Sequence, residues 1–335
     1  MIFVRDKGRM CNNILQYGHL YAWGREHGRS TMSMRFAYKY RWFRICHTRY
    51  HSFPFYVLAK YAAKWHLLPV ADFGLDAPAP DYGEQEQRLL THRHIVAEGW
   101  YARWYDLFLK YKQEIISLFA FAPAVRQAPD RLLASLFPPS TIASPSAPLP
   151  VSSYAATSPS VPHPTSSLCS GSAAVPQRPL LLGLHIRRGD YRRWHGGRYF
   201  YTDEQYIAVV RRYLMGILEL LEQLEQLGRL GQLGQLEQLE TLYPICLLVC
   251  GNDPDLDEGA FRRALPGITV MFPKGNPAED LYLLSRCDRL IGAPSTFTLV
   301  ASMYRDVPLY WIEDPDKAPT DADFGHFDQL FRQIK

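Results

Sequence analysis

From residue 180 to the end of the chain, short apolar runs alternate with single amphipathic segments. Continuous apolar runs of this length are typical of strands that are buried on both faces of a parallel sheet. One helix between successive strands implies right-handed crossovers, and therefore a doubly wound α/β sheet. The predicted strands are 180–186, 245–250, 268–271, 290–293 and 308–312.

Capping motifs indicate where three of the intervening helices begin. Thr202 is followed three residues later by Gln205, which matches a capping box. Asn276-Pro-Ala-Glu279 combines an N-cap, a proline in the first turn and a capping glutamate. A further helix is predicted to begin near Ser295, because serine is a favoured N-cap residue.

The N-terminus repeats the strand–helix pattern on a smaller scale. Residues 1–4 are predicted to form a strand, and residues 12–27 a helix that Asn12 caps and Gly28 ends. A second α/β domain is therefore predicted in the first part of the chain.

Two low-complexity segments interrupt these patterns. Residues 138–179 are rich in Ser, Pro and Ala, and such a composition cannot form a packed core. We predict a linker or surface insertion there, between domains at 1–137 and 180–335. Around 219–241, leucine recurs at every third position and so winds around a helix of 3.6 residues per turn. This segment is predicted to be a helical insertion, with a partner-binding surface as the alternative.

Composition excludes several classes of protein. The chain has 37 Lys+Arg and 33 Asp+Glu, a net charge of +4 that argues against a nucleic-acid partner. The longest apolar stretches are shorter than the ~18 residues of a membrane span, and no signal peptide is visible. Scattered cysteines, two of them in an apolar strand, favour a reducing compartment. We predict a cytoplasmic protein without a transmembrane segment, and leave peripheral membrane association open.

The densest group of polar residues, His185-Ile-Arg187-Arg188-Gly-Asp190, follows the strand at 180–186. In open α/β sheets, ligands bind at this carboxyl edge. Alternation along the strand places His185 and Arg187 on one face, and Gly189 allows a turn that returns Asp190 to them. Arginines held by a carboxylate suit a diphosphate, although a surface salt-bridge turn fits the spacing equally well.

Two other segments offer groups that can bind an anion. Gly292-Ala-Pro294-Ser295-Thr296-Phe297 follows a predicted strand and opens a helix, whose free N–H groups and nearby hydroxyls can bind phosphate. Near the N-terminus, the loop from Gly8 to Asn12 and Asn13 places two amides at another helix start. Each segment is also compatible with an ordinary capped helix.

Four segments, taken in order, resemble the α-1,2-fucosyltransferases of glycosyltransferase family 11. The element HIRRGDY is of the HxRRxD type, which α-1,6- and protein O-fucosyltransferases share. The four segments are GRMCNNILQYGHLYAWGREHG, LGLHIRRGDY, CLLVCGNDPDLDEGAF and EDLYLLSRCDRLIGAPSTFTLVASMY.

The resemblance implies a GT-B-like α/β fold with two Rossmann-like domains and parallel sheets. Residues 1–137 would then form the acceptor-side domain, and residues 180–335 would bind the nucleotide sugar. The implied reaction is inverting transfer of L-fucose from GDP-fucose to a galactose-type hydroxyl of a glycan acceptor, in α-1,2 linkage. No metal or other cofactor is expected.

The resemblance also implies roles for individual residues. By motif position, Arg187 would bind the β-phosphate, and His185 and Asp190 would shape the same catalytic pocket. Whether Asp190 acts as a base or orients Arg187 stays open. The implied donor-binding residues are Arg188, Asn12, Asn13, Asp253, Ser295, Thr296 and Phe297.

Two other functions remain open. Asp253, Asp255 and Asp257 follow a predicted strand, and an acidic DxD in that place is how metal-dependent GT-A glycosyltransferases hold Mn²⁺ or Mg²⁺ against a diphosphate. The same aspartates also suit an ordinary helix N-terminus. The second alternative is a catalytically inactive protein that binds a nucleotide sugar or a glycan.

Aromatic residues in the first domain are candidates for stacking on acceptor sugar rings. Cys46, His47 and His51 offer metal-ligand side chains, but their irregular spacing favours ordinary packing. The candidates for stacking are Trp42, Tyr50, Trp100 and Trp104.

Overall fold

A computed structural model describes residues 1–136, 179–226, 244–251 and 253–334, which form two α/β domains, each with its own parallel sheet. The predictions for 138–178 and for 227–241 lie outside the described residues. No helix in the described ranges is both long and apolar enough to cross a bilayer.

The N-terminal sheet has four parallel strands in the order β2-β1-β4-β3. The predicted strand at 1–4 is confirmed as β1, shifted by one residue, and its side chains are almost entirely buried. The strands are β1 (Ile2–Arg5), β2 (Thr31–Ser33), β3 (Val70–Asp72) and β4 (Ile95–Glu98).

The C-terminal sheet has five parallel strands in the order β7-β6-β5-β8-β9. All five predicted strands are confirmed, with ends that shift by one residue or less. The strand order reverses between β5 and β8, and such a switch point leaves a crevice beyond the carboxyl ends of the strands. The strands are β5 (Leu180–Ile186), β6 (Ile245–Gly251), β7 (Thr269–Met271), β8 (Arg289–Gly292) and β9 (Leu309–Trp311).

Helices cover the faces of both sheets. Those of the N-terminal domain are α1 (Met10–Glu26), α2 (Phe53–Lys64), α3 (Tyr82–Thr91), α4 (Tyr105–Lys110), α5 (Lys112–Leu118) and α6 (Pro123–Leu136). Those of the C-terminal domain are α7 (Asp203–Gln226), α8 (Glu258–Ala264), α9 (Pro277–Leu284), α10 (Thr296–Met303) and α11 (Phe327–Phe331).

The predicted caps are confirmed for the C-terminal helices. Asn276 and Glu279 form a complete capping box at the start of α9, and Ser295 caps α10. At the start of α7, the Thr202 backbone N–H donates to the Gln205 side chain at 2.9 Å.

The prediction that Asn12 caps the first helix is wrong. Helix α1 begins at Met10, and its N-cap residue is Arg9. Gly8 adopts a φ of +90°, so the chain turns into the helix before Asn12 is reached. As a result, Asn12 lies in the first turn with its side chain available for other contacts.

The two domains pack against each other through a shared hydrophobic core. Helix α11, at the end of the chain, returns to the N-terminal domain, where the Phe331 ring stacks on His19 with centroids 5.1 Å apart. Across the same boundary, the Tyr282 hydroxyl donates to Asp130 at 2.6 Å. These contacts fix the relative position of the two sheets and of the crevice between them.

Candidate functional site

A cleft of about 990 Å³ lies between the two domains, at the switch point of the C-terminal sheet. The C-terminal domain contributes the loops that follow β5 and β8 to one wall of the cleft. The N-terminal domain contributes the Gly8–Asn12 segment to the opposite wall, called the N-terminal side of the cleft below. Cavities of this size hold drug-sized or cofactor-sized ligands. Among the predicted site residues, those that line the cleft are Asn12, His185, Arg187, Asp190, Ser295, Thr296 and Phe297.

Two arginines, one from each domain, share the Asp190 carboxylate at the centre of this cleft. The Arg187 guanidinium contacts Asp190 Oδ2 at 2.9 Å, and Arg9 contacts Asp190 Oδ1 at 3.6 Å. Gly189, at a φ of +34°, starts the short 3₁₀ turn that brings Asp190 back toward β5, as predicted. Arg9 was not among the predicted site residues, because only the folded chain brings it to this turn.

The Arg187 side chain retains hydrogen-bonding capacity. Its Nε atom is buried and has no hydrogen-bond partner among the described residues. Its guanidinium carbon lies 5.2 Å from the centroid of the Tyr191 ring, so the side chain is also held by an aromatic face. A buried N–H donor without an acceptor is costly, and an anionic ligand in the cleft can satisfy it.

His185 is a buried, neutral imidazole behind this arginine. Burial, and secondarily the charge of Arg187, lowers the pKa of His185 to about 3. The ring stacks on Phe297 with centroids 4.6 Å apart and planes 11° from parallel. Nδ1 is buried and has no partner in the described part of the chain. The stacked rings of His185 and Phe297 therefore form a flat apolar surface in the cleft, beside one ring nitrogen that has no partner in the described part of the chain.

The N-terminus of α10 meets the N-terminal domain at the floor of the cleft. The Thr296 hydroxyl donates to Asn12 Oδ1 at 2.5 Å, which joins the two candidate anion-binding segments. A Cβ on Gly8 would lie 2.7 Å from Asn12 Nδ2, so a side chain there would displace this amide. The Ser295 side chain accepts the Thr298 N–H at 3.3 Å, as an N-cap does.

Asp280 is a cleft residue that the sequence analysis missed. It lies in the first turn of α9, where burial, with a smaller contribution from the Glu279 charge, raises its pKa to about 7. Its Oδ1 atom is buried and has no partner among the described residues. The sequence did contain a signal for this residue: Asp280 lies at the start of a predicted helix, at the same carboxyl edge of the sheet as His185.

Three predicted donor-binding residues do not line the cleft. The Arg188 guanidinium is bound by Asp203 at 2.5 Å and by Asp253 at 2.8 Å, with all three side chains nearly buried. Its Nε also donates to the Tyr201 carbonyl at 2.8 Å. Asn13 is fully buried within α1. None of the three is therefore placed to contact a ligand in the cleft.

Two of the three aspartates after β6, Asp253 and Asp257, already use their carboxylates in local contacts. Asp253 binds Arg188, and its other oxygen accepts the Asp255 N–H at 3.1 Å. Asp257 caps α8 by accepting the Ala260 N–H at 2.9 Å. None of the three lines the cleft. Over the described ranges, no group of three or more His, Cys, Asp or Glu side chains is arranged to hold a metal ion.

Two of the four aromatic candidates, Trp42 and Trp100, line the N-terminal side of the cleft. Trp104 is instead tied to Glu86 through its indole N–H at 2.9 Å, and Tyr50 packs beside Phe55.

The loop that follows Asp190 adds His195 to the cleft wall. His195 has a φ of +46°, a left-handed backbone conformation that residues other than glycine rarely adopt. Its ring contacts the edge of Trp194, whose ring packs on Tyr191 at 4.6 Å. Strained residues of this kind cluster at functional sites.

Comparison with known proteins identifies the fold. No protein-family model matches the chain, and no curated protein sequence matches it. Among solved structures, a point mutant of Arabidopsis thaliana FUT1 in complex with GDP is similar over 97% of this chain and 73% of that chain, at 13% identity and a TM-score of 0.53.

Two further structures are similar over most of the chain. POFUT1 in complex with GDP-fucose matches 95% of both chains at 11% identity and a TM-score of 0.47. A glycosyl transferase of family 9 from Veillonella parvula matches 95% of this chain and 85% of its own, at 11% identity and a TM-score of 0.41. The likeness to Arabidopsis FUT1, together with the two parallel sheets, confirms the predicted GT-B-like fold.

Proposed function

We propose that the protein is an inverting glycosyltransferase that moves L-fucose from GDP-fucose to a galactose-type hydroxyl of a glycan, in α-1,2 linkage. The observation that carries the proposal is the Arg187 guanidinium, whose buried Nε has no partner among the described residues. It lies at the switch point of the C-terminal sheet, in the cleft that faces the N-terminal domain. The Arabidopsis FUT1 structure, whose fold this chain shares, is a complex with GDP.

The two arginines give the cleft its affinity for a diphosphate. Arg187 and Arg9 carry two positive charges against the single negative charge of Asp190, which leaves a net positive centre. Asp190 thus acts here as a positioning residue for both guanidinium groups. As the bond to the sugar breaks, negative charge grows on the β-phosphate, and a fixed Arg187 stabilises it.

Asp280 and the His185–Phe297 pair select the nucleobase of the donor. Guanine presents two adjacent donors on its Watson–Crick edge, and one carboxylate can accept both of them. Adenine places an acceptor at the corresponding ring nitrogen and is repelled by a carboxylate. The buried Oδ1 of Asp280 has no other partner in the described chain, so guanine supplies the hydrogen bond that it lacks.

The acceptor enters against Trp42 and Trp100, on the N-terminal side of the cleft. Because both oxygens of Asp190 face arginines, we propose His195 as the base. His195 takes the proton of the acceptor hydroxyl, and the acceptor oxygen forms a bond to C1 of fucose. The bond from C1 to the β-phosphate oxygen breaks on the opposite face, and GDP leaves with that electron pair.

The proposal is tested by incubating the protein with GDP-fucose and a galactose-terminated oligosaccharide and analysing the product by mass spectrometry and NMR. We expect one added fucose, α-1,2-linked, with activity lost in Arg187→Ala and retained in Asp255→Asn. Transfer that requires added Mn²⁺ and is lost in Asp255→Asn would contradict the proposal in favour of a metal-dependent transferase. GDP binding without transfer to any acceptor would favour the inactive binding protein.

A further inference from the structure

The stretch of chain between Glu26 and Asp72 contains no acidic residue. It contains eight basic residues, although the net charge of the whole chain is only +4. Six of the eight are exposed, and none of the eight makes an ion pair with a carboxylate in the described part of the chain. The eight are Arg29, Arg35, Lys39, Arg41, Arg44, Arg49, Lys60 and Lys64.

Helix α2 lies within this stretch and exposes several large apolar side chains. Pro54, Leu58, Tyr61 and Trp65 recur at spacings of three and four residues, so they form one stripe. Leu58 is 69% exposed, Trp65 64% and Tyr61 42%. Leu67, just beyond the helix, is 69% exposed and extends the stripe.

The opposite face of α2 packs on the protein through two buried alanines, with Phe55 and Tyr56 partly buried beside them. Ala59 and Ala63 are the buried residues of this helix, and they pack on the outer face of the N-terminal sheet against residues such as Met32 and Val96. An ordinary surface helix buries its large apolar residues and exposes its polar ones. Helix α2 therefore exposes an apolar area that no described residue covers.

Basic side chains flank this apolar stripe. Lys60 and Lys64 are exposed on α2 itself, and Lys60 Nζ lies 5.8 Å from the centroid of the Tyr56 ring. Lys39 follows Tyr38, whose ring packs on Tyr56 at 4.3 Å. The surface thus joins aromatic and aliphatic groups with long cationic side chains.

We propose that this surface, defined by Leu58, Tyr61, Trp65 and Leu67 with Lys60, Lys64 and Lys39, binds an anionic lipid bilayer. Helix α2 then lies in the plane of the interface, with its apolar stripe among the upper acyl chains. The indole and phenol rings sit at headgroup depth, and the lysines reach the lipid phosphates.

The charge of the surface favours a bilayer over the other occupants. A second copy of the chain would bring the same uncompensated positive charges face to face, which is unfavourable. A nucleic acid would meet the lysines but would leave Leu58 and Leu67 without an apolar partner. An anionic membrane offers acyl chains to the apolar side chains and phosphates to the lysines at the same time.

The α2 surface is linked to the cleft through Tyr38, which packs on Tyr56 of α2 and lies two residues before Tyr40, a residue of the cleft wall. The lipid contact itself does not use Arg9, Arg187 or Asp190, so it does not depend on the proposed transfer reaction.

The test is co-sedimentation of the full chain with phosphatidylcholine vesicles and with equimolar phosphatidylcholine–phosphatidylglycerol vesicles. We expect binding to the anionic vesicles that weakens with added salt, and weak binding to the neutral ones. Trp65→Ser and Leu58→Ser should each lower the partition coefficient about tenfold, because the apolar area of each side chain is lost from the membrane interface. Lys60→Glu should lower it at least about fivefold, because a cation near the surface is replaced by an anion.

Two matched controls keep the result specific. Leu90→Ser, at another exposed leucine, and Lys274→Glu, at another exposed lysine, should leave vesicle binding unchanged. Trp65→Ser should also retain GDP binding, so that loss of lipid binding and loss of the donor site are separate outcomes. Absence of vesicle binding, equal binding by the Leu58 and Trp65 variants, or a salt-resistant dimer that buries Trp65 would each overturn the proposal.

Discussion

Replacement of Asp280 by asparagine should separate the stability of the fold from recognition of the nucleotide. The Asp280 carboxyl is mostly buried, and desolvation followed by the nearby Glu279 charge raises its pKa from 3.8 to about 7. In the folded protein without ligand, this carboxyl therefore ionises only around pH 7. The asparagine would keep the shape of the side chain without the charge, so the substitution removes the cost of ionising a buried group.

The size of the effect follows from linkage. A shift of about 3 pKa units corresponds to about 4 kcal/mol, which is an upper limit for the penalty in the free energy of unfolding. Because the folded pKa is raised, the wild-type protein loses this stability as pH rises from about 4 to about 7. The advantage of Asp280→Asn should be absent near pH 4, grow through this window and then level off.

The same substitution should weaken nucleotide binding. A hydrogen bond to a charged group contributes about 1.5–3 kcal/mol, so GDP affinity should fall roughly 10- to 100-fold. Discrimination between GDP and ADP should shrink by a similar factor, because the amide can accept only one of the two guanine donors and no longer repels adenine.

The assays are urea unfolding at several pH values and calorimetric titration with GDP and ADP. Asp255→Asn removes the same charge from an exposed position and serves as the matched control, with neither property expected to change. A variant that is less stable than wild type at pH 8, or that binds GDP with unchanged affinity, would refute the placement of Asp280 as a strained, guanine-binding carboxylate.

Three further substitutions probe other parts of the account. Arg188→Ala leaves two nearly buried carboxylates without their partner, and urea unfolding should show a loss of about 3–5 kcal/mol. His195→Gly keeps the left-handed backbone but removes the proposed base, so kcat should fall about 10²- to 10⁴-fold in steady-state assays while GDP affinity is retained. Exogenous imidazole should restore part of the activity of His195→Gly. Glu313→Gln, which changes a different titratable residue of the cleft, is the control and should retain most of the wild-type activity. Gly8→Ala forces a side chain into a φ of +90° and against the Asn12 amide, and should lower both the thermal midpoint and kcat.

Features that depend on local sequence could be predicted closely. The strands of the C-terminal sheet are continuous apolar runs, and the caps at Asn276 and Ser295 use hydrogen bonds that span three residues. The position of Arg187 at the carboxyl end of β5 followed from the apolar run that precedes it, whereas the switch point beside it depends on the strand order. The glycine at 189 likewise predicted the turn that brings Asp190 to Arg187.

Features that depend on contacts between distant segments could not be predicted. The Arg9–Asp190 contact joins the two domains, and the Asn12–Thr296 hydrogen bond spans most of the chain. Asp253 and Arg188 are close in space because two loops of the C-terminal sheet meet behind the cleft. Burial also raises the pKa of Asp280, and burial of one carboxyl depends on the whole assembled fold.

The central claim is that the interdomain cleft binds a guanosine diphosphate sugar through Arg187, and calorimetry tests it most directly. GDP and GDP-fucose would be titrated into wild-type protein and Arg187→Ala, with and without EDTA, and with UDP and ADP as controls. We expect guanine-selective binding that survives EDTA and is lost in the variant. Equal binding of all the nucleotides, strict dependence on a divalent cation, or unchanged binding by Arg187→Ala would contradict it.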